Sequence, residues 1–170
     1  VTGVTYNLPG VFDINPYKNA VNGSLWTMPY ELGMYAILVS VWMLLRIVKN
    51  ARIRVFELII VFITIVAATL VFGFHFLTST ENFFFKLFFM FFSGATFYAL
   101  RNRIMLSHSF FCIAVISLLI TATVNRDAFF VVYFLTIAYI LFYLAYIPSG
   151  RIRSYNKLGD YSYGVYIYAF

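Results

Sequence analysis

The sequence predicts an all-α fold: a polytopic transmembrane helix bundle with five full spanning helices plus a truncated sixth. Three observations carry this. Of 170 residues, 63% are hydrophobic and 22% aromatic, while only 11% are charged; a soluble domain is about half apolar and about a quarter charged. Mean hydropathy is +0.88. Apolar runs recur along the chain near the length of about 20 residues that a helix needs to cross ~30 Å of hydrocarbon, and the connections between them alternate in charge.

The opening segment, residues 1–26, reads as extracytoplasmic. Its LPG at 8–10 and INPYKN at 14–19 are turn chemistry rather than helix. The first helix is expected from Thr27 to Leu45. Thr27 suits an N-cap, and Pro29 falls inside the first turn, where its missing N–H costs little. Trp26 and Tyr30 suit the interfacial aromatic belt. The second helix is expected over Leu58–Leu77, the third over Phe83–Leu100 and the fifth over Ala128–Ile147. The fourth, Ser109–Val124, is short. The sixth begins near Tyr161 and is cut off at Phe170, ten residues after Asp160. With Val1 rather than Met at the start and no signal-peptide pattern, the chain reads as an internal piece of a longer polytopic protein.

Charge orients the bundle. The first connection carries Arg46, Lys49, Arg52 and Arg54, the third Arg101 and Arg103, the fifth Arg151, Arg153 and Lys157. Nine of the twelve Lys and Arg residues therefore lie in alternate connections, which the positive-inside rule makes cytoplasmic. The protein is expected to be multi-pass in the cell's inner membrane, with the bilayer as a partner. The net charge of +6 is then topogenic and gives no ground for a nucleic-acid partner. Cys112 reads as a small buried hydrophobe. There is no HExxH, no CxxC and no carboxylate cluster, so no metal site is expected. Ser93-Gly94-Ala95 offers small residues for close helix packing, and Lys86 reads as a snorkelling side chain. His75 and His108 lie at helix ends, where a solvated imidazole is the ordinary reading.

Glu31 is the residue that composition does not explain. It lies about one turn, or ~6 Å, below the start of the first helix. Three readings compete. The carboxylate is favoured near a helix N-terminus and reaches water; or it pairs with a cation of another helix; or it is a functional acid facing a polar cavity open to the outside, since ionisable groups within membranes are rare and costly.

Asn22-Gly23-Ser24-Leu25-Trp26-Thr27-Met28-Pro29-Tyr30-Glu31 resembles the NGSLWTLPYE motif of the membrane-bound acyltransferase 3 family, with Met28 in place of the usual Leu. Leu8-Pro9-Gly10-Val11-Phe12 and Asn15-Pro16-Tyr17 fit the same family's outer loop. Leu158-Gly159-Asp160-Tyr161-Ser162-Tyr163-Gly164-Val165-Tyr166 resembles its late helix start, with Ala169 where many members carry His. The resemblance implies that residues 1–170 are part of a transmembrane O-acyltransferase domain. Such enzymes move an acyl group, often acetyl, from acyl-CoA to hydroxyls of extracytoplasmic acceptors: cell-envelope polysaccharides or small molecules. No bound cofactor is implied, and acetyl-CoA is the expected donor. The family's catalytic histidine belongs to a first helix upstream of this segment. Acyl transfer needs a base for the acceptor proton and donors for the oxyanion. Glu31 is the catalytic candidate, orienting that histidine or binding the acceptor. Asn22, Ser24, Trp26, Tyr30, Ser162 and Tyr166 are the substrate-binding candidates. Arg101, Arg103, Arg151 and Arg153 suit CoA phosphates and topogenic charge alike. The rival function classes are a transporter or channel, whose internal repeats and broken mid-membrane helices are not visible here, and a catalytically incomplete structural fragment.

Overall fold

The structure is a computed structural model that describes residues 9–10, 14, 26–47, 53–78 and 82–149. Among them are five α-helices and no strand: α1 (Met28–Ile47), α2 (Ile53–Gly73), α3 (Phe83–Ala99), α4 (His108–Val124) and α5 (Arg126–Tyr146), with a π-helical turn, Phe74–Thr78, directly after α2. The all-α class is as expected. The expected sixth helix, from Tyr161, lies outside the described residues.

Three of these helices are long and apolar enough to cross a membrane: Met28–Ile47, Ile53–Thr78 and Arg126–Tyr146. This corrects the expectation of five. α3 and α4 have 17 residues each, which at ~1.5 Å per residue gives about 26 Å, short of ~30 Å of hydrocarbon. The starts of α2 and α5 also differ from the apolar boundaries. α2 begins at Ile53, so Arg54 and Glu57 are helical rather than connecting. α5 begins at Arg126, because the Asn125 side chain caps it by accepting the Asp127 N–H at 2.8 Å. α3 starts where its sequence indicates: Asn82 accepts the Phe84 N–H at 3.0 Å and satisfies one of the unpaired first-turn donors.

The chain divides into two compact units, residues Val1–Val39 with Gly150–Phe170, and Ser40–Ser149. In the first, the described part is chiefly the opening of α1. Met34 is its buried helical residue, and most of its neighbours along the helix are exposed.

In the second unit α2 packs on α3, α4 on α5, and α3 on α5. Ala67, Val71, Phe89 and Phe134 form the buried cluster, with Phe72, Phe85, Phe88 and Phe130 around it. The phenylalanine-rich stretch of α3 thus has a structural use. Its rings at positions 85, 88, 89 and 92 recur at helical spacing, and they meet partners offset or tilted, as aromatic quadrupoles prefer; Phe89 meets Phe134 of α5 at 5.8 Å and 42°.

One polar staple crosses this apolar interface. The Thr64 hydroxyl lies 2.7 Å from the Thr96 hydroxyl and within 2.9 Å of the Phe92 carbonyl oxygen. Between apolar helices such bonds add to packing, typically by well under ~2 kcal/mol each. The close approach expected at Ser93-Gly94-Ala95 is not made through glycine: a Cβ on Gly94 would meet nothing within 4 Å. Ser93 is buried, with its hydroxyl donating to the Met90 carbonyl of its own helix.

Candidate functional site

Glu31 lies in the first turn of α1 and is exposed. Thr27, just before the helix, is buried and donates its hydroxyl to Glu31 Oε1 at 3.0 Å. Thr27 was expected at the N-cap; its hydroxyl proton goes to the carboxylate. One face round, Trp26 and Tyr30 are also four apart, and their rings meet edge-to-face at 6.2 Å and 74°. Each is 40% exposed. Residues four apart share a helix face, so the first turn presents an aromatic pair beside a hydroxyl–carboxylate pair. Among the described residues no ion pair to Glu31 is present. Asn22, Ser24, Ser162 and Tyr166 lie outside the described residues.

The second unit carries polar side chains at both helical ends. His75 sits in the π-helical turn, with Nε2 3.1 Å from Asp127 Oδ1 and its ring stacked on Phe130 at 3.8 Å and 9°. Its side chain is only 16% exposed, so the expected solvated imidazole is instead a covered one. Lys86 places its ammonium over the Phe130 ring at 5.3 Å, a cation–π contact.

At the opposite ends of the helices, Glu57 and Arg103 approach to 3.0 Å. The Glu57 side chain is 17% exposed and makes a close ion pair without hydrogen-bond alignment. His108 opens α4; its Nδ1 lies 3.0 Å from the Tyr143 hydroxyl, while Nε2 lies 3.6 Å from Cys112 Sγ. Cys112 is half-buried rather than buried. Tyr139 holds the linker before α4, accepting the Ser107 N–H at 2.8 Å. Glu57 is the residue that sequence reasoning missed. Its signal was an acid one residue before the apolar run of α2. Among the described residues no three His, Cys, Asp or Glu side chains group to hold a metal.

Each histidine is thus committed to a neighbour on another helix. His75→Ala and His108→Ala are expected to retain most acyl transfer in the intact protein, measured as turnover at matched membrane expression. A loss of several orders of magnitude in either variant would make that imidazole the base.

The profile of the acyltransferase family described as an acyltransferase domain matches residues 2–170. No curated protein and no solved structure matches the chain. With the match running over nearly all of the sequence, the chain belongs to the acyltransferase 3 family, a family of membrane acyltransferases.

Proposed function

We propose that this protein is a multi-pass inner-membrane O-acyltransferase that moves an acyl group, acetyl by preference, from acyl-CoA to a hydroxyl of an extracytoplasmic glycan or small-molecule acceptor. The family match over residues 2–170 carries the reaction class. The first turn of α1 supports the acceptor chemistry. Trp26 and Tyr30 present ring faces of the kind that pack on a sugar, and Glu31 offers a carboxylate whose Oε1 is already fixed by Thr27. In the reaction the acceptor oxygen attacks the thioester carbonyl. The carbon–sulfur bond breaks, coenzyme A leaves as the thiol, and the acceptor proton passes through a base. Glu31 either orients that base or accepts a hydrogen bond from the acceptor hydroxyl, which holds the nucleophile in line. Asn22, Ser24, Ser162 and Tyr166 complete the acceptor site in this reading.

The decisive experiment uses sealed vesicles holding the intact protein, with labelled acetyl-CoA on one side and acceptor on the other. Label in an ester on the acceptor supports the proposal; passage of acceptor or ions with no ester formed selects the transporter reading. Orientation is checked separately. A cysteine placed at Asn102, with Cys112→Ser as background, is expected to resist an impermeant thiol reagent applied to intact cells. Strong labelling would reverse the proposed topology.

A further inference from the structure

We infer that the cleft between the C-terminal ends of α3 and α5 is a binding site for an anionic phospholipid, with the phosphate headgroup on Arg101 and the upper acyl chain along the aromatic wall. The inference goes beyond the acyltransferase reading and does not depend on it.

The cleft has a volume of about 360 Å³. Its wall is apolar. Phe97 and Phe142 stack at 5.2 Å and 11°, and Phe142 continues onto Tyr146 at 5.9 Å and 7°. Ile104 and Leu106 of the linker close the far side. Arg101 is the charged residue of the lining. One guanidinium N–H donates to the Tyr98 carbonyl at 3.0 Å, and the group lies over the Tyr98 ring at 4.5 Å. These two contacts fix the planar fork and leave its other donors open. Arg103, two residues on, is neutralised by Glu57 at 3.0 Å; no carboxylate among the described residues pairs with Arg101.

Position selects the ligand. α5 is long and apolar enough to cross a membrane, so its C-terminal end, where the cleft opens, lies at the headgroup level. Tyr98 of the lining is 61% exposed, suiting an interfacial aromatic position. A small hydrated anion would gain from Arg101 but nothing from the aromatic wall. A zwitterionic lipid would gain from the wall but would bring its own cation to Arg101. An anionic phospholipid satisfies both, and Arg is the side chain that meets a phosphate through two parallel N–H donors. One effect opposes it: both helices end here, and their terminal carbonyls disfavour an anion. Arg101 bonds directly to one of those carbonyls, at Tyr98, so a full positive charge stands between the helix end and the ligand and outweighs a partial negative one. Basic pockets at helix ends are a recurrent mode of headgroup recognition.

The test compares phosphatidylglycerol with phosphatidylcholine of identical chains, added to the intact protein in detergent. Phosphatidylglycerol is expected to raise the melting temperature with its concentration and to stay bound in native mass spectrometry, whereas phosphatidylcholine does neither. Arg101→Gln should weaken phosphatidylglycerol binding about tenfold, and Phe142→Ala should weaken it through the wall while keeping the charge. Equal responses to the two lipids in the unmodified protein would overturn the inference without any variant. So would unchanged binding in Arg101→Gln. Coenzyme A is added in a parallel arm. Its displacement of phosphatidylglycerol, with the same dependence on Arg101, would make the cleft a donor-nucleotide site and sink the lipid assignment.

Discussion

Glu31→Gln in the intact enzyme is expected to lower acyl transfer by about two orders of magnitude or more, the range over which a positioned acid or base typically acts, with insertion and expression unchanged. The substitution keeps size and one acceptor oxygen, so Thr27 retains a partner for the hydroxyl that now donates to Oε1 at 3.0 Å. What is lost is the charge that would orient an imidazolium or polarise the acceptor hydroxyl. Turnover at the unmodified rate would show that the carboxylate is only a helix-start acid, favoured by the macrodipole. Loss of insertion instead of turnover would mean that the charge is structural. Thr27→Val adds a second handle. It removes the hydroxyl that fixes the acid, and should cost a smaller part of the same activity without altering acceptor specificity.

Phe92→Ala is the largest expected effect on stability. Phe92 is fully buried, packs on Phe88 at 4.5 Å, and its carbonyl accepts from Thr64 of α2. Truncation opens a cavity at the α2–α3 crossing. In soluble cores buried Phe→Ala costs roughly 3–5 kcal/mol. In a bilayer the unfolded reference keeps the ring in an apolar solvent, so the expected cost is near the low end, about 3 kcal/mol. Equilibrium unfolding in mixed micelles measures it. Phe62→Ala, on a residue 66% exposed, serves as the comparison and should stay within about 0.5 kcal/mol. Equal losses in the two variants would show that the α2–α3 contact is not where the hairpin is held.

The helical class was legible because bilayer thickness and apolar composition leave few alternatives. The ends that sequence located well are those with a local signal: Asn82 caps α3, and His108 and Ser109 begin an apolar run straight after a polar connection. The start of α2 was placed five residues too late, at Leu58. Hydropathy treats Arg54 and Glu57 as connection, whereas the backbone is already helical there, and Glu57 meets Arg103, 46 positions away, at 3.0 Å. His75 was misjudged for the same reason. Its covering comes from Phe130 and Asp127 on α5, and no local pattern reports a partner that distant. The candidate site divides likewise. The spacing of Thr27 with Glu31 and of Trp26 with Tyr30 reads directly off one turn of helix. The Arg101 cleft exists only once α3 and α5 lie side by side.

The π-helical turn Phe74–Thr78 makes the end of α2 sensitive to chain length. Bonding from i to i+5 accommodates one residue more than an α-helical turn does, so the turn holds one residue in excess of regular helix. Removing one residue would restore α geometry without breaking the backbone ladder. Side chains beyond the turn would stay close to their register, and those inside it would be reoriented. His75 is the second residue of the turn, so a one-codon deletion there would disturb its stacking on Phe130 and its approach to Asp127 together.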